Sequence, residues 1–156
     1  ELMKVECGAG NDEPEDWVGA LTLALNSISW RDKSKRAIIW IADSNAHGKL
    51  FCGYDNHNEE EPKMEPLIQQ MADKGIHFVG INVVCNDDRG CERTLTKIRE
   101  MYQNFDGGSF LIEEYQRPTN LHLDENIWPE FEMNNFMEII NSSIKKLVEL
   151  FDDSEI

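Results

Sequence analysis

The apolar run from Ala37 to Ala42 constrains the fold of this chain more than any other feature. It contains three isoleucines and a tryptophan and no polar residue. Such a run is typical of a strand buried on both faces, as in a parallel sheet that helices cover on both sides. It is also far too short to cross a bilayer, so we expect no membrane insertion.

Helical and strand patterns alternate along the rest of the chain. Apolar spacing predicts helices over about 14–29, 64–72, 95–105 and 136–151, and strands over 2–7, 76–84 and 110–115. Pro14 is expected at the first position of the first helix, with Asn11 or Asp12 as its cap. This alternation indicates an α/β fold, a three-layer, doubly wound, mostly parallel sheet of Rossmann-like type.

The number of predicted strands is small for such a sheet. A strand as apolar as 37–42 needs neighbours on both of its edges, yet the chain offers only two other convincing strands and a short one. We therefore expect the N-terminal strands of the fold to be missing, upstream of Glu1. On this interpretation residues 1–151 are one domain, about two-thirds of the fold, and residues 152–156 are an acidic tail.

Net charge limits the classes of partner. The 156 residues carry 30 acids and 15 bases, a formal charge of −15, while 40% hydrophobic residues suffice for a packed core. Nucleic acid and anionic lipid are excluded as unselective partners because both are polyanions, and a cation is a more natural ligand. The four cysteines lack the regular spacing of a disulfide scaffold, so we expect reduced thiols and a cytoplasmic location.

Polar residues follow the two strongest strands at the edge where parallel sheets bind ligands. Asp43 directly ends the first strand, which makes it the leading candidate for a metal ligand, with Asp12 and Asn11 as the others. Carboxylate and amide oxygens are ligands of Mg²⁺ or Ca²⁺. Ser44, Asn45 and Asp87 are candidates for contacts with a ligand or partner. The alternative is that these residues are ordinary caps and turn formers.

A second group of possible metal ligands lies in the polar segment 44–62. His47, Cys52 and His57 could suggest zinc, but their spacing matches no closed structural site and no fourth ligand is evident. A flexible surface loop is the better interpretation of the sequence.

Three segments carry a family resemblance. Residues 8–17 are Gly-Ala-Gly-Asn-Asp-Glu-Pro-Glu-Asp-Trp, residues 36–48 are Arg-Ala-Ile-Ile-Trp-Ile-Ala-Asp-Ser-Asn-Ala-His-Gly, and residues 75–82 are Gly-Ile-His-Phe-Val-Gly-Ile-Asn. Over about residues 5–150 the chain resembles a von Willebrand factor A domain, in the branch found in protist proteins and beside α-kinase domains. The resemblance implies a doubly wound sheet with a metal-ion-dependent adhesion site, in which Asp43 matches the Asp after the central strand. The Asp-x-Ser-x-Ser element and the second-loop Thr of that site have no counterpart in this chain.

The expected function is that of a non-catalytic domain that binds a ligand or a protein partner, with a divalent cation in the full-length protein bridging to an acidic group on that partner. One alternative is a metal-independent scaffold in a larger assembly that uses the helix at 134–151. Another is a metal-assisted phosphoryl hydrolase using Asp43, although Asn45 stands where a second acid would be needed. We expect no small-molecule substrate, and an α-kinase would be a separate domain.

Overall fold

Helices alternate with parallel strands throughout the computed structural model, which describes residues 12–85, 89–117 and 130–153. In chain order the elements are α1 (Trp17–Asn26), β1 (Arg36–Ala42), α2 (Glu61–Asp73), β2 (Ile76–Cys85), α3 (Glu92–Tyr102), β3 (Phe110–Arg117) and α4 (Glu130–Asp153). The expected α/β architecture with parallel strands is therefore confirmed, and it is consistent with a Rossmann-like fold. The strand expected at 2–7 lies outside the described residues.

The sheet has the order β1-β2-β3 and all its pairs are parallel. Ile39 pairs with Val79, and Val79 pairs in turn with Leu111, so β2 is the central strand. As the central strand, β2 lies in the core, and its Val79 is fully buried. Within the described ranges β1 has a neighbour on one edge only, and Ile41 is 47% exposed.

Helices α1, α2 and α3 cover one face of the sheet and form the larger core with it. Aromatic rings cross this face in a row. The ring centroids of Trp17 and Trp40 lie 4.8 Å apart, those of Trp40 and Phe78 6.1 Å, and those of Phe78 and Phe110 4.8 Å. These large side chains bury much apolar surface and join α1 to all three strands.

On the opposite face, α4 is the one helix among the described residues that packs against the sheet. Its Leu147 joins Val79, Ile81 and Tyr115 in the smaller core. A line of large apolar side chains on α4 is exposed: Met137, Ile144 and Val148.

The start of α1 differs from the expectation. The helix begins at Trp17, three residues after Pro14, because the Asp16 carboxylate accepts a hydrogen bond from the Gly19 N–H at 2.7 Å and caps it. Asp12 therefore takes no part in capping, and its carboxylate is available for other contacts.

Hydrogen bonds attach the segment that follows β1 to the start of α3. Asn45 Oδ1 accepts from the Thr94 N–H at 3.1 Å and from the Thr94 hydroxyl at 2.9 Å, while Asn45 Nδ2 donates to the Gly90 carbonyl at 3.1 Å. The Thr94 hydroxyl also accepts from the buried Ala46 N–H at 2.9 Å. Thr94 is fully buried, so these groups have no water to replace their partners.

Replacing Thr94 by valine keeps the side chain's shape and removes the hydroxyl. The Ala46 N–H then loses its acceptor in a buried position, so we expect the free energy of unfolding to fall by about 1–3 kcal/mol in urea denaturation. Thr96→Val is the matched control, since Thr96 lies on the same helix, is half-buried and makes no hydrogen bond with a described residue. A loss in Thr94→Val no larger than in this control would contradict the role assigned to Thr94.

Candidate metal and partner site

Asp43 and Ser44 have side chains that are not engaged within the described fold. Asp43 is exposed where β1 ends, and Ser44 is half-buried beside it. Neither side chain makes a hydrogen bond or ion pair with another described residue, although the Ser44 carbonyl accepts from the Trp17 indole N–H at 3.1 Å. The carboxyl end of β1 therefore offers a carboxylate and a hydroxyl for an outside ligand.

The two asparagines near this edge serve the fold instead. Asn45 joins the end of β1 to α3 as described above, and Asn82 Oδ1 accepts from the Cys91 N–H at 2.8 Å while its amide donates to the Arg89 carbonyl at 3.0 Å. Contacts within the fold therefore use most of the hydrogen-bonding capacity of both amides. Asn11 and Asp87, the other candidates from the sequence, lie outside the described residues.

Asp12 lies apart from Asp43, in a cluster with His47, Asp55 and His57. These four side chains place one possible ligand atom each within 4.8 Å of one another. His47 Nδ1 is 3.2 Å from Asp55 Oδ2, His57 Nδ1 is 2.9 Å from Asp55 Oδ1, and His57 Nδ1 is 3.8 Å from Asp12 Oδ2. The cluster could hold a metal ion.

Two contacts bring Asp12 to the loop that carries the other three residues. The Glu15 N–H donates to the Asn45 carbonyl at 2.8 Å, so the chain entering α1 runs beside residues 45–46. The Tyr54 hydroxyl donates to the Glu13 carboxylate. The cluster thus depends on residues that are distant in sequence.

The loop between β1 and α2, residues 43–60, is packed and anchored. Phe51 is fully buried, and Arg93 donates to the carbonyls of Lys49 and Leu50 at 2.8 and 2.9 Å. Gly48 has φ of +101°, a left-handed conformation that suits glycine, and its N–H donates to Asp55 at 2.5 Å. These contacts hold the histidines in place around Asp55.

The Asp55 carboxylate is buried, with 7% of the residue exposed. Burial by itself raises its pKa, but hydrogen bonds from the Gly48 N–H, His57, the Asn56 N–H and His47 outweigh that effect and hold the pKa well below its usual range. The hydrogen bond to Asp55, together with its negative charge, raises the pKa of His57. Asp55 is therefore ionised at neutral pH.

A cleft of about 500 Å³ lies between this loop and α3, next to the carboxyl ends of β1 and β2. Three basic residues line it in a strongly acidic protein: Arg89, Arg93 and Lys97. Arg93 is committed to the loop carbonyls and Lys97 pairs with Glu100, while the Arg89 guanidinium, on a side chain 88% exposed, lies 4.0 Å from the carboxylate of Glu92, which also lines the cleft. The cleft can accept an acidic group.

Sequence reasoning found part of this arrangement. It placed Asp43 and Ser44 at the end of a strand, and it noted His47 and His57 but grouped them with Cys52, which is buried. Asp55 was missed altogether, and Asp12 was assigned to a different set of ligands. The Asp-x-His spacing of 55–57 was the one local signal for the missing ligand.

Two of the cysteines are free thiols. Cys52 and Cys91 are both buried, and burial raises the pKa of Cys91 to about 12. Among the described residues, none of the helices has the length and apolar character to cross a membrane.

Replacing Asp55 by asparagine tests the electrostatics of the cluster. Because the pKa of Asp55 is lower in the folded chain than in the unfolded one, its contribution to stability is complete above about pH 4 and is lost as the pH falls further. In the presence of a chelator we expect Asp55→Asn to be less stable than wild type by about 1.5–3 kcal/mol at pH 7 in urea denaturation. This difference should narrow below pH 4, and the exposed Asp106→Asn serves as control. A difference that does not change with pH would contradict the account.

Comparison with known proteins finds similarity over about half of this chain. No protein-family model matches the chain, and no solved structure matches it. Over 81 residues the chain is 30% identical to the alpha-protein kinase vwkA of Dictyostelium discoideum. The match covers 49% of this chain and 13% of that protein, so the chain spans a small part of the relative's length. The assignment to the von Willebrand factor A family stays a prediction.

Proposed function

We propose that this chain is a non-catalytic domain of von Willebrand factor A type that binds a protein partner at the carboxyl edge of its sheet. A divalent cation bound at Asp43 in the full-length protein bridges to an acidic group on that partner. The observation that carries the proposal is the exposed, unengaged carboxylate of Asp43 at the end of β1, beside residues whose polar groups are committed to the fold.

The donor chemistry at this edge supports Mg²⁺ or Ca²⁺. Both are hard cations that prefer oxygen ligands, and Asp43 and Ser44 supply a carboxylate and a hydroxyl. The described residues provide these two donors. The remaining positions around the cation are assigned to water and to the partner's carboxylate.

Charge at the neighbouring cleft supports an acidic partner. Three bases and one acid line the cleft, and the guanidinium of Arg89, paired with Glu92 at 4.0 Å in an exposed position, lies beside Gly90, to which Asn45 is hydrogen-bonded. In a protein with a formal charge of −15, a local basic surface favours an acidic group there over the rest of the surface.

The relative named an alpha-protein kinase is matched over 13% of its length, and we place the present region within a larger chain of that kind. On this proposal the catalytic activity belongs to a separate domain, and the present region recruits the partner.

Calorimetric titration of the full-length protein with Mg²⁺ tests the proposal. We expect a saturable heat of binding in wild type and an affinity weakened by roughly tenfold or more in Asp43→Ala, since a direct ligand contributes at least as much as an outer-shell group. Asp106→Ala, which removes an exposed acid elsewhere, should bind as wild type does. No heat in wild type, or equal affinity in wild type and Asp43→Ala, would contradict the proposed cation site at Asp43.

A second candidate function is metal-independent binding through α4. The exposed side chains of Met137, Ile144 and Val148 form an apolar line on this helix, a surface suited to a partner helix or sheet face. If this candidate holds, a chelator leaves partner binding intact and Ile144→Glu weakens it. If the first holds, the chelator abolishes binding and Ile144→Glu has little effect.

A further inference from the structure

We propose that Asp12, His47, Asp55 and His57 form a tetrahedral zinc site that joins the chain entering α1 to the loop between β1 and α2. The site is separate from the cation at Asp43, which is not one of the four residues. It goes beyond the proposed partner-binding function and does not rest on it.

The spacing of the side chains suits a tetrahedral ion. With metal–ligand bonds of about 2.0–2.1 Å, neighbouring ligand atoms in a tetrahedral site lie about 3.3–3.4 Å apart. The cluster has separations of 2.9, 3.2 and 3.8 Å between its imidazole nitrogens and carboxylate oxygens. The longer separations, up to 4.8 Å, can close by side-chain rotation, since the side chains of Asp12 and His57 are 46% and 51% exposed.

The donor atoms select the ion. Two imidazoles and two carboxylates suit Zn²⁺, whereas Mg²⁺ and Ca²⁺ prefer oxygen ligands throughout. Four protein ligands leave no open position, which is the pattern of a structural zinc site rather than a catalytic one.

The surroundings already hold the central ligand in place. Asp55 is buried and accepts the Gly48 N–H at 2.5 Å, and His47, with 18% of its side chain exposed, packs edge-on against His57 with ring centroids 4.6 Å apart. Supporting hydrogen bonds of this kind orient metal ligands and raise affinity. The inner half of the site is thus preorganised, and the two exposed residues complete it.

The consequence is a cross-link between distant parts of the chain. Asp12 precedes α1, and the other three ligands follow β1, so a bound ion fastens the two segments that flank the carboxyl end of β1. An ion that binds the folded chain and not the unfolded one raises the melting temperature.

Titration with Co²⁺, a spectroscopic substitute for Zn²⁺, tests the site in the full chain, free of any polyhistidine tag and stripped with chelator. We expect visible absorption bands typical of tetrahedral Co²⁺ that saturate at one ion per chain and disappear when Zn²⁺ is added. His57→Ala and Asp12→Asn should each weaken binding by roughly tenfold or more. Both residues are about half exposed, so the variants should fold as wild type, which circular dichroism checks.

Asp106→Asn is the control, because Asp106 is an exposed acid and not a member of the cluster. It should leave Co²⁺ affinity unchanged, as should Asp43→Ala, which separates this site from the proposed Mg²⁺ site. Zn²⁺ should also raise the melting temperature of wild type and not that of His57→Ala. Absence of tetrahedral Co²⁺ bands in wild type, or equal affinity in wild type and His57→Ala, overturns the proposal.

Discussion

Hydrogen bonding between Asn45 and the start of α3 is the constraint on which the carboxyl edge of the sheet depends. Asn45 uses both ends of its amide, to Thr94 and to Gly90, and the Thr94 hydroxyl then holds the Ala46 N–H. The chain leaving β1 is therefore fixed one residue beyond Ser44. Asp43 and Ser44 stay free for an outside ligand, and the next residues are directed into the loop that carries the histidines.

Two different sets of possible cation ligands lie within a short stretch of sequence at this loop. Asp43 and Ser44 offer only oxygen atoms, the preferred ligands of hard cations, while the cluster around Asp55 combines oxygen with imidazole nitrogen. The two groups share no residue. On the two proposals above, this protein with a net charge of −15 binds one ion for its partner and another for its own stability.

The main features of the fold could be predicted from the sequence, because the apolar run of β1 is uninterrupted, β2 is mostly apolar and the helical stripes between the strands are regular. The start of α1 was wrong by three residues because Asp16, rather than Asn11 or Asp12, caps it. The His–Asp cluster could not be predicted in full, since Asp12 reaches it through tertiary contacts, one between residues 15 and 45–46 and one between Glu13 and Tyr54. The role of Asn45 could not be predicted either. Its residue type and position suit a ligand contact, and only the packing of α3 reveals its hydrogen bonds to Thr94 and Gly90.

Anomalous diffraction from crystals of the full-length protein grown with Mn²⁺, in place of Mg²⁺, and with Zn²⁺ tests the central claim most directly. The account predicts a manganese peak about 2.0–2.2 Å from the Asp43 carboxylate, and a separate zinc peak among Asp12, His47, Asp55 and His57. Data with no manganese peak at Asp43, or with both metals at the His–Asp cluster alone, would contradict it.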